Sequence, residues 1–96
     1  MNVIFEIIDK SGRKINLSEE RWKHIIKRHP YMGKYFEEIK KTLEIPDKII
    51  SDDYRKEYYY KGYKHLKSPN NFILVIVKYL NGDGFVITSY LTDKIK

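Results

Sequence analysis

Three histidines are the residues here best suited to carrying a proton near neutral pH. His29 is the most informative. It sits in Arg28-His29-Pro30, at the last turn of a helix and on that helix's apolar side. An imidazole there lies at the edge of a helix–sheet contact. It either serves as a general acid or base, or bonds a terminal carbonyl and favours the negative end of the helix dipole. His24 falls on the polar face of the same helix and reads as solvated. His65, in Lys64-His65-Leu66 near a loop, fits a contact to backbone phosphate. His24 and His29 are five apart in sequence, whereas helix residues that share a face are three or four apart. No metal site is expected, and no cofactor.

Hydroxyls and cations come next. In the last strand, period two sets Val86, Thr88 and Tyr90 on one face and Phe85, Ile87, Ser89 and Leu91 on the other. The second set is the more apolar and should face the helices. Thr88 and Tyr90 then form a hydroxyl pair on the open face that could hold a phosphate; the competing reading is two good β-formers with wet tips. Arg55 is the only arginine among the strands. It is either a solvated charge or a two-pronged grip on a phosphate. Tyr58, Tyr59, Tyr60 and Tyr63 could stack bases, or reflect sheet packing.

The elements that must position these residues follow from local patterns. Val3 to Ile8 reads as a strand, Asp9-Lys10-Ser11-Gly12 as a turn, and Lys14 to Leu17 as a strand pairing back. Ser18 is a helix N-cap, with Glu19 and Glu20 in the first turn. Trp22, Ile25, Ile26 and His29 share a helical face, and Pro30 ends that helix. A second helix runs from about Gly33 to Leu43, striped with Met32, Phe36, Ile39 and Leu43. Lys48 to Ser51, Arg55 to Lys61, Phe72 to Leu80 and Phe85 to Leu91 then read as strands, with Asn81-Gly82-Asp83-Gly84 a hairpin turn. Gly82 and Gly84 resemble part of a phosphate loop in spacing, but no helix follows. The expected fold is α+β: one domain over residues 1–96, its two helices packed on one face of an antiparallel sheet.

Composition narrows the classes. The chain has no cysteine, which excludes disulfides, thiolate zinc sites and a cysteine nucleophile. No apolar run reaches the ~20 residues of a membrane helix. Early Glu6 and Asp9 are unlike a secretory leader, so a cytoplasmic protein is expected. Nineteen Lys+Arg oppose thirteen Asp+Glu, for a formal charge of +6. Fifteen of the nineteen are lysine, a bias that partly reflects genome composition. A positive domain with nine tyrosines still points first to a polyanion, and RNA is the expected partner.

Leu17-Ser18-Glu19-Glu20-Arg21-Trp22-Lys23-His24-Ile25, Arg28-His29-Pro30, Leu43-Glu44-Ile45-Pro46-Asp47 and the ending Asn81 to Leu91 together resemble the phage-associated nuclease-like families of the barnase–EndoU–colicin–RelE group. Arg-His-Pro after a helix and Thr-x-Tyr on the last strand are the most specific pieces. The resemblance implies a small α+β domain that cleaves RNA without metal. It implies His29 as the catalytic imidazole, Thr88 and Tyr90 lining the site, and Arg55 as the cation. Glu57 is the candidate for the carboxylate base of barnase-like members. Arg28, Tyr59, Lys61, Lys64 and His65 complete the expected RNA-binding set.

The chemistry would be transesterification, in which a ribose 2′-OH attacks the adjacent phosphorus and the 5′-oxygen leaves. The expected function is a toxin-like, metal-independent endoribonuclease, with an antitoxin protein as a further partner. The alternative is a non-catalytic RNA-binding module on the same scaffold.

Overall fold

In the computed structural model, which describes residues 3–9 and 11–96, the chain starts with an antiparallel pair, β1 (Val3–Ile8) and β2 (Lys14–Ser18). Lys10, within the expected turn between them, lies outside the described residues. Ser18 then caps α1 (Glu19–Arg28), its hydroxyl accepting from the Arg21 N–H at 3.1 Å. Glu19 and Glu20 lie at the positive end of the dipole, Lys27 and Arg28 at the negative end.

Pro30 ends α1, but the chain does not pass straight into a second α-helix. Pro30–Tyr35 forms a 3₁₀ segment, η1, in which the Met32 N–H bonds the His29 carbonyl. The second α-helix, α2, covers Phe36–Glu44, a later start than the apolar stripe suggests. Four strands follow: β3 (Lys48–Ser51), β4 (Lys56–Gly62), β5 (Phe72–Leu80) and β6 (Asp83–Thr92).

The sheet has six strands in the order β1-β2-β6-β5-β4-β3. It is mixed, not antiparallel throughout: β2 runs parallel to β6 through Ile15–Gly84 and Asn16–Phe85. Every other pairing is antiparallel. The core joins Ile25, Met32, Ile39 and Leu43 of the helical segments to Tyr59, Ile73, Val75, Val77 and Val86 of the sheet. Trp22 packs against this cluster half-buried, its ring edge-on to Phe36 at 5.2 Å.

Two details of β6 bear on function. Asn81 and Gly82 both have positive φ, 55° and 86°, as a two-residue hairpin with the right twist requires. Further along, the β5–β6 register shifts between Ile76 and Val77, so that Thr88 opposes Ile76 while Val86 opposes Val77. Ile87 is the extra residue of a bulge. The bulge corrects simple alternation: Val86 is 1% exposed in the core, and Phe85 is exposed. Beyond it Ser89 is buried, and Thr88 and Tyr90 lie with Tyr58 and Tyr60 on the opposite face.

Candidate active site

β2 accompanies β6 only as far as Phe85, then turns away through Ser18 into α1. Past Phe85 that side of β6 has no partner strand among the described residues, and α1 and η1 contact it instead. His29 stands at this junction. Its N–H closes the last turn of α1 on the Ile25 carbonyl at 2.7 Å, and its carbonyl starts η1. The backbone is thus held on both sides, and Pro30 fixes the exit.

The His29 ring lies 5.2 Å from the Tyr90 ring, tilted by 36°. On another side the Tyr31 hydroxyl is 3.3 Å from His29 Nδ1, with the two rings edge-to-face at 5.8 Å. Burial pushes the imidazole below its ordinary value, and the nearby charges of Arg28 and His24 push it further the same way. His29 is therefore mostly neutral at pH 7, able to accept a proton. Tyr31 can donate to Nδ1 or accept from it, so one contact supports either tautomer and leaves the other ring nitrogen for a substrate.

Thr88 and Tyr90 share the sheet face that carries Tyr58 and Tyr60. Burial pushes both of those phenols up, and Tyr90 adds to each shift. Tyr58 also donates to Asp52 at 3.2 Å. Arg28 is exposed, directly before His29. His29, Tyr31, Tyr90 and Arg28 thus form one group, with Thr88 two residues before Tyr90 on the same face of β6.

Other expected site residues lie elsewhere. Arg55 is exposed in the turn before β4 at φ 64°, where its carbonyl accepts from the Tyr79 N–H. The Asp52 carboxylate shapes this turn by accepting from the N–H groups of Tyr54 and Lys56. Tyr79 pairs with Gly84, whereas Tyr90 pairs with Leu74. Five residues of β5 separate the two levels, about 17 Å of strand. The structure does not bring Arg55 to His29. Tyr59 is also corrected: it is 0% exposed, so its ring offers no face to a base. Lys61 is paired with Asp47 at 3.4 Å. Lys64 and His65 are exposed, with His65 Nε2 2.8 Å from a Glu38 carboxylate oxygen. The Tyr63 hydroxyl is taken up by Thr42 and the Glu38 carbonyl.

Glu57 is engaged as well. Its two oxygens face the two terminal guanidinium nitrogens of Arg13 at 2.8 and 3.3 Å. Arg13 also pairs with Asp9 at 3.0 Å and stacks over the Tyr79 ring at 3.9 Å. The Tyr59 and Tyr79 hydroxyls bond each other and reach the Asp9 carboxylate. This network ties Asp9 and Arg13, which sit between β1 and β2, to β4 and β5. Burial alone would raise the Asp9 carboxyl, but hydrogen bonds from Ser11 and Arg13 and the Arg13 charge outweigh it, holding it at about 2. Burial and the bond to Tyr59 push and pull the Tyr79 phenol to about 12. Local sequence pattern does not mark Arg13, because its partners Glu57 and Tyr79 are far along the chain. Tyr31 directly follows Arg-His-Pro, and that adjacency is the one sequence signal for its place beside His29.

The family model described as phage-Barnase-EndoU-ColicinE5/D-RelE like nuclease2 matches residues 3–95. The chain belongs to this nuclease family. No curated protein and no solved structure matches it. The mixed six-stranded sheet with two α-helices is consistent with a nuclease of this group. Among the described residues of this family member, no three His, Asp or Glu side chains are grouped to hold a metal ion, and no helix is long and apolar enough to cross a membrane.

Proposed function

We propose that the protein is an endoribonuclease in which His29 moves the proton of a ribose 2′-OH. The observation that supports this most is the placement of a half-buried imidazole between Tyr31 and Tyr90, beside exposed Arg28, with burial lowering its proton affinity. A neutral His29 takes the 2′-OH proton as that oxygen bonds to phosphorus. The P–O5′ bond breaks, leaving a 2′,3′-cyclic phosphate, and the 5′-oxygen takes up a proton from water. The nucleophile belongs to the substrate and is already held near the phosphorus, so the residues supply proton transfer and charge stabilisation. In this scheme Arg28 faces the negative charge that builds on the phosphoryl oxygens, and the Tyr90 and Thr88 hydroxyls orient the phosphate. The net charge of +6 adds a salt-dependent, sequence-blind attraction to RNA.

Purified protein incubated with total RNA in EDTA, beside His29→Ala, tests this reading. The wild type should cleave, and the variant should lose about 10²–10⁴-fold with its melting temperature unchanged. Cleavage by His29→Ala close to the wild-type rate would remove His29 from the mechanism. Salt-dependent RNA binding by both proteins with cleavage by neither would point to a non-catalytic binding module.

A further inference from the structure

A second feature adjoins His29 and shares only Tyr31 with the group described above. A cavity of about 430 Å³ is lined by Tyr31, Lys34 and Tyr35 of η1, by His65 and Lys67, by the 68–70 loop and by Leu91. Its volume falls in the ~300–1,000 Å³ range of small-ligand sites.

Three observations bear on what it takes. The first is charge. Two lysines and an imidazole line it, with no carboxylate in the lining. The nearby Glu38 carboxylate is held by His65 Nε2. The second is aromatic surface. Tyr31 is 43% exposed. Tyr35 is half-buried against the core, with the Lys34 ammonium 5.4 Å over its ring and the His65 ring 6.4 Å away. The third is continuity with the catalytic group. Tyr31, which lines the cavity, touches His29 Nδ1, and Leu91 directly follows Tyr90 on β6.

We propose that this cavity is a nucleotide subsite, holding the base and the outer phosphate of the single-stranded RNA nucleotide next to the bond cleaved at His29. The proposal rests on the ribonuclease reading. The base stacks on Tyr31, because an exposed ring accepts any base face. Lys34 and Lys67 meet the phosphate as mobile point charges. Both contacts ignore base identity, so the subsite fixes the register of the strand with little sequence preference. Tyr31 then serves two purposes: its hydroxyl steadies the imidazole, and its ring seats the neighbouring base.

The test is binding of a short 2′-O-methyl RNA oligonucleotide, which cannot be cleaved by 2′-OH attack, measured by fluorescence anisotropy over a salt series. Tyr31→Ala should weaken binding by about 5- to 100-fold, while Tyr31→Phe should bind like wild type. The double variant Lys34→Ala/Lys67→Ala should lower the salt slope by about 1.4, two contacts at about 0.7 each for a single strand. Lys23→Ala, a helix-surface control, should lower it less. All of these positions are exposed, so the variants should fold, and thermal melts verify this. No binding by the wild type, or groove variants that bind like Lys23→Ala, would overturn the proposal. Groove-dependent binding without cleavage would uphold the subsite and sink the catalytic reading. Cleavage through His29 with groove-independent binding would do the reverse.

Discussion

His29 and Tyr90 stand ring to ring, 5.2 Å between centroids and tilted by 36°. One ends the first helix and the other lies near the end of the last strand. The contact exists because β2 leaves β6 after Phe85 and lets the end of α1 come against the strand. In the proposed mechanism Tyr90 orients the phosphate with its hydroxyl and supports the imidazole with its ring. Tyr90→Phe should keep the ring contact and lose the hydroxyl. Single-turnover cleavage should fall on the order of 10²-fold with RNA affinity and melting temperature unchanged. An equal loss in affinity would make Tyr90 a ground-state binding residue instead.

The acid limb of the rate profile should report His29. Its folded value lies below the ordinary imidazole value of about 6.5, so cleavage should persist to lower pH than an unperturbed histidine allows. Arg28→Gln removes one of the charges that lowers it and should move the limb up toward 6.5. The same shift has a stability consequence. The unfolded chain binds the proton more readily, so His29 lowers stability as pH falls from about 6.5 to its folded value, and the loss persists below that. A limb that stays put in Arg28→Gln would show that it belongs to another group.

Arg28 and Arg55 should separate cleanly. Arg28 adjoins the imidazole, whereas Arg55 lies about five strand residues away along β5. Arg28→Ala should slow single-turnover cleavage on the order of 10²-fold, as expected for a cation placed at developing charge. Arg55→Lys should leave the rate unchanged. The opposite ranking, measured on one oligonucleotide at one salt concentration, would return the catalytic cation to the turn before β4.

Asp9 should set much of the acid lability. It is 7% exposed and its carboxyl is held at about 2. Its stabilisation is present above the unfolded value of about 3.9 and is lost as pH falls toward 2. That shift corresponds to about 2 kcal/mol. Asp9→Asn should cost about that much at pH 7 and flatten stability between pH 4 and 2, with cleavage by the remaining folded protein unchanged. Chemical denaturation across that pH range measures it.

Gly84 should be intolerant of a side chain. A Cβ there would meet Tyr79 Cε1 at 2.8 Å, Val77 Cγ1 at 3.0 Å and Ile15 Cγ1 at 3.1 Å. These atoms surround the point where β2 pairs with β6. Gly84→Ala should cost about 1–3 kcal/mol as overpacking, read as a shift in the urea midpoint. A neutral change would mean that the β2–β6 crossing is looser than drawn.

Local chemistry was readable from residue order where neighbours decide it. Ser18 caps α1, Pro30 stops it, and Asn81-Gly82 turns the hairpin, each through contacts within a few residues. Long-range pairing was not readable. Nothing in Lys14 to Leu17 announces a parallel partner far down the chain, and the bulge at Ile87 breaks the alternation that assigned Val86 to the open face. The same limit explains Tyr59. Adjacent tyrosines look alike in sequence, and Tyr59 and Tyr60 are both buried; only tertiary contact with Asp9, Glu57 and Tyr79 decides that Tyr59 is the one in the core. The position of His29 at the end of α1 was legible because its helix, its proline and its apolar neighbours are all local. Its partner Tyr31 needed the turn of η1 to bring it back to Nδ1.

The central claim is that the ribose 2′-OH is the nucleophile and His29 its proton carrier. The most direct measurement uses two oligonucleotides of one sequence, one all RNA and one 2′-O-methyl, with the product ends analysed by mass spectrometry. RNA fragments ending in 2′,3′-cyclic phosphate, no cleavage of the 2′-O-methyl strand, and loss of the cyclic product in His29→Ala are the predicted results. Cleavage of the 2′-O-methyl strand, or cleavage that leaves 5′-phosphate ends, would contradict the account.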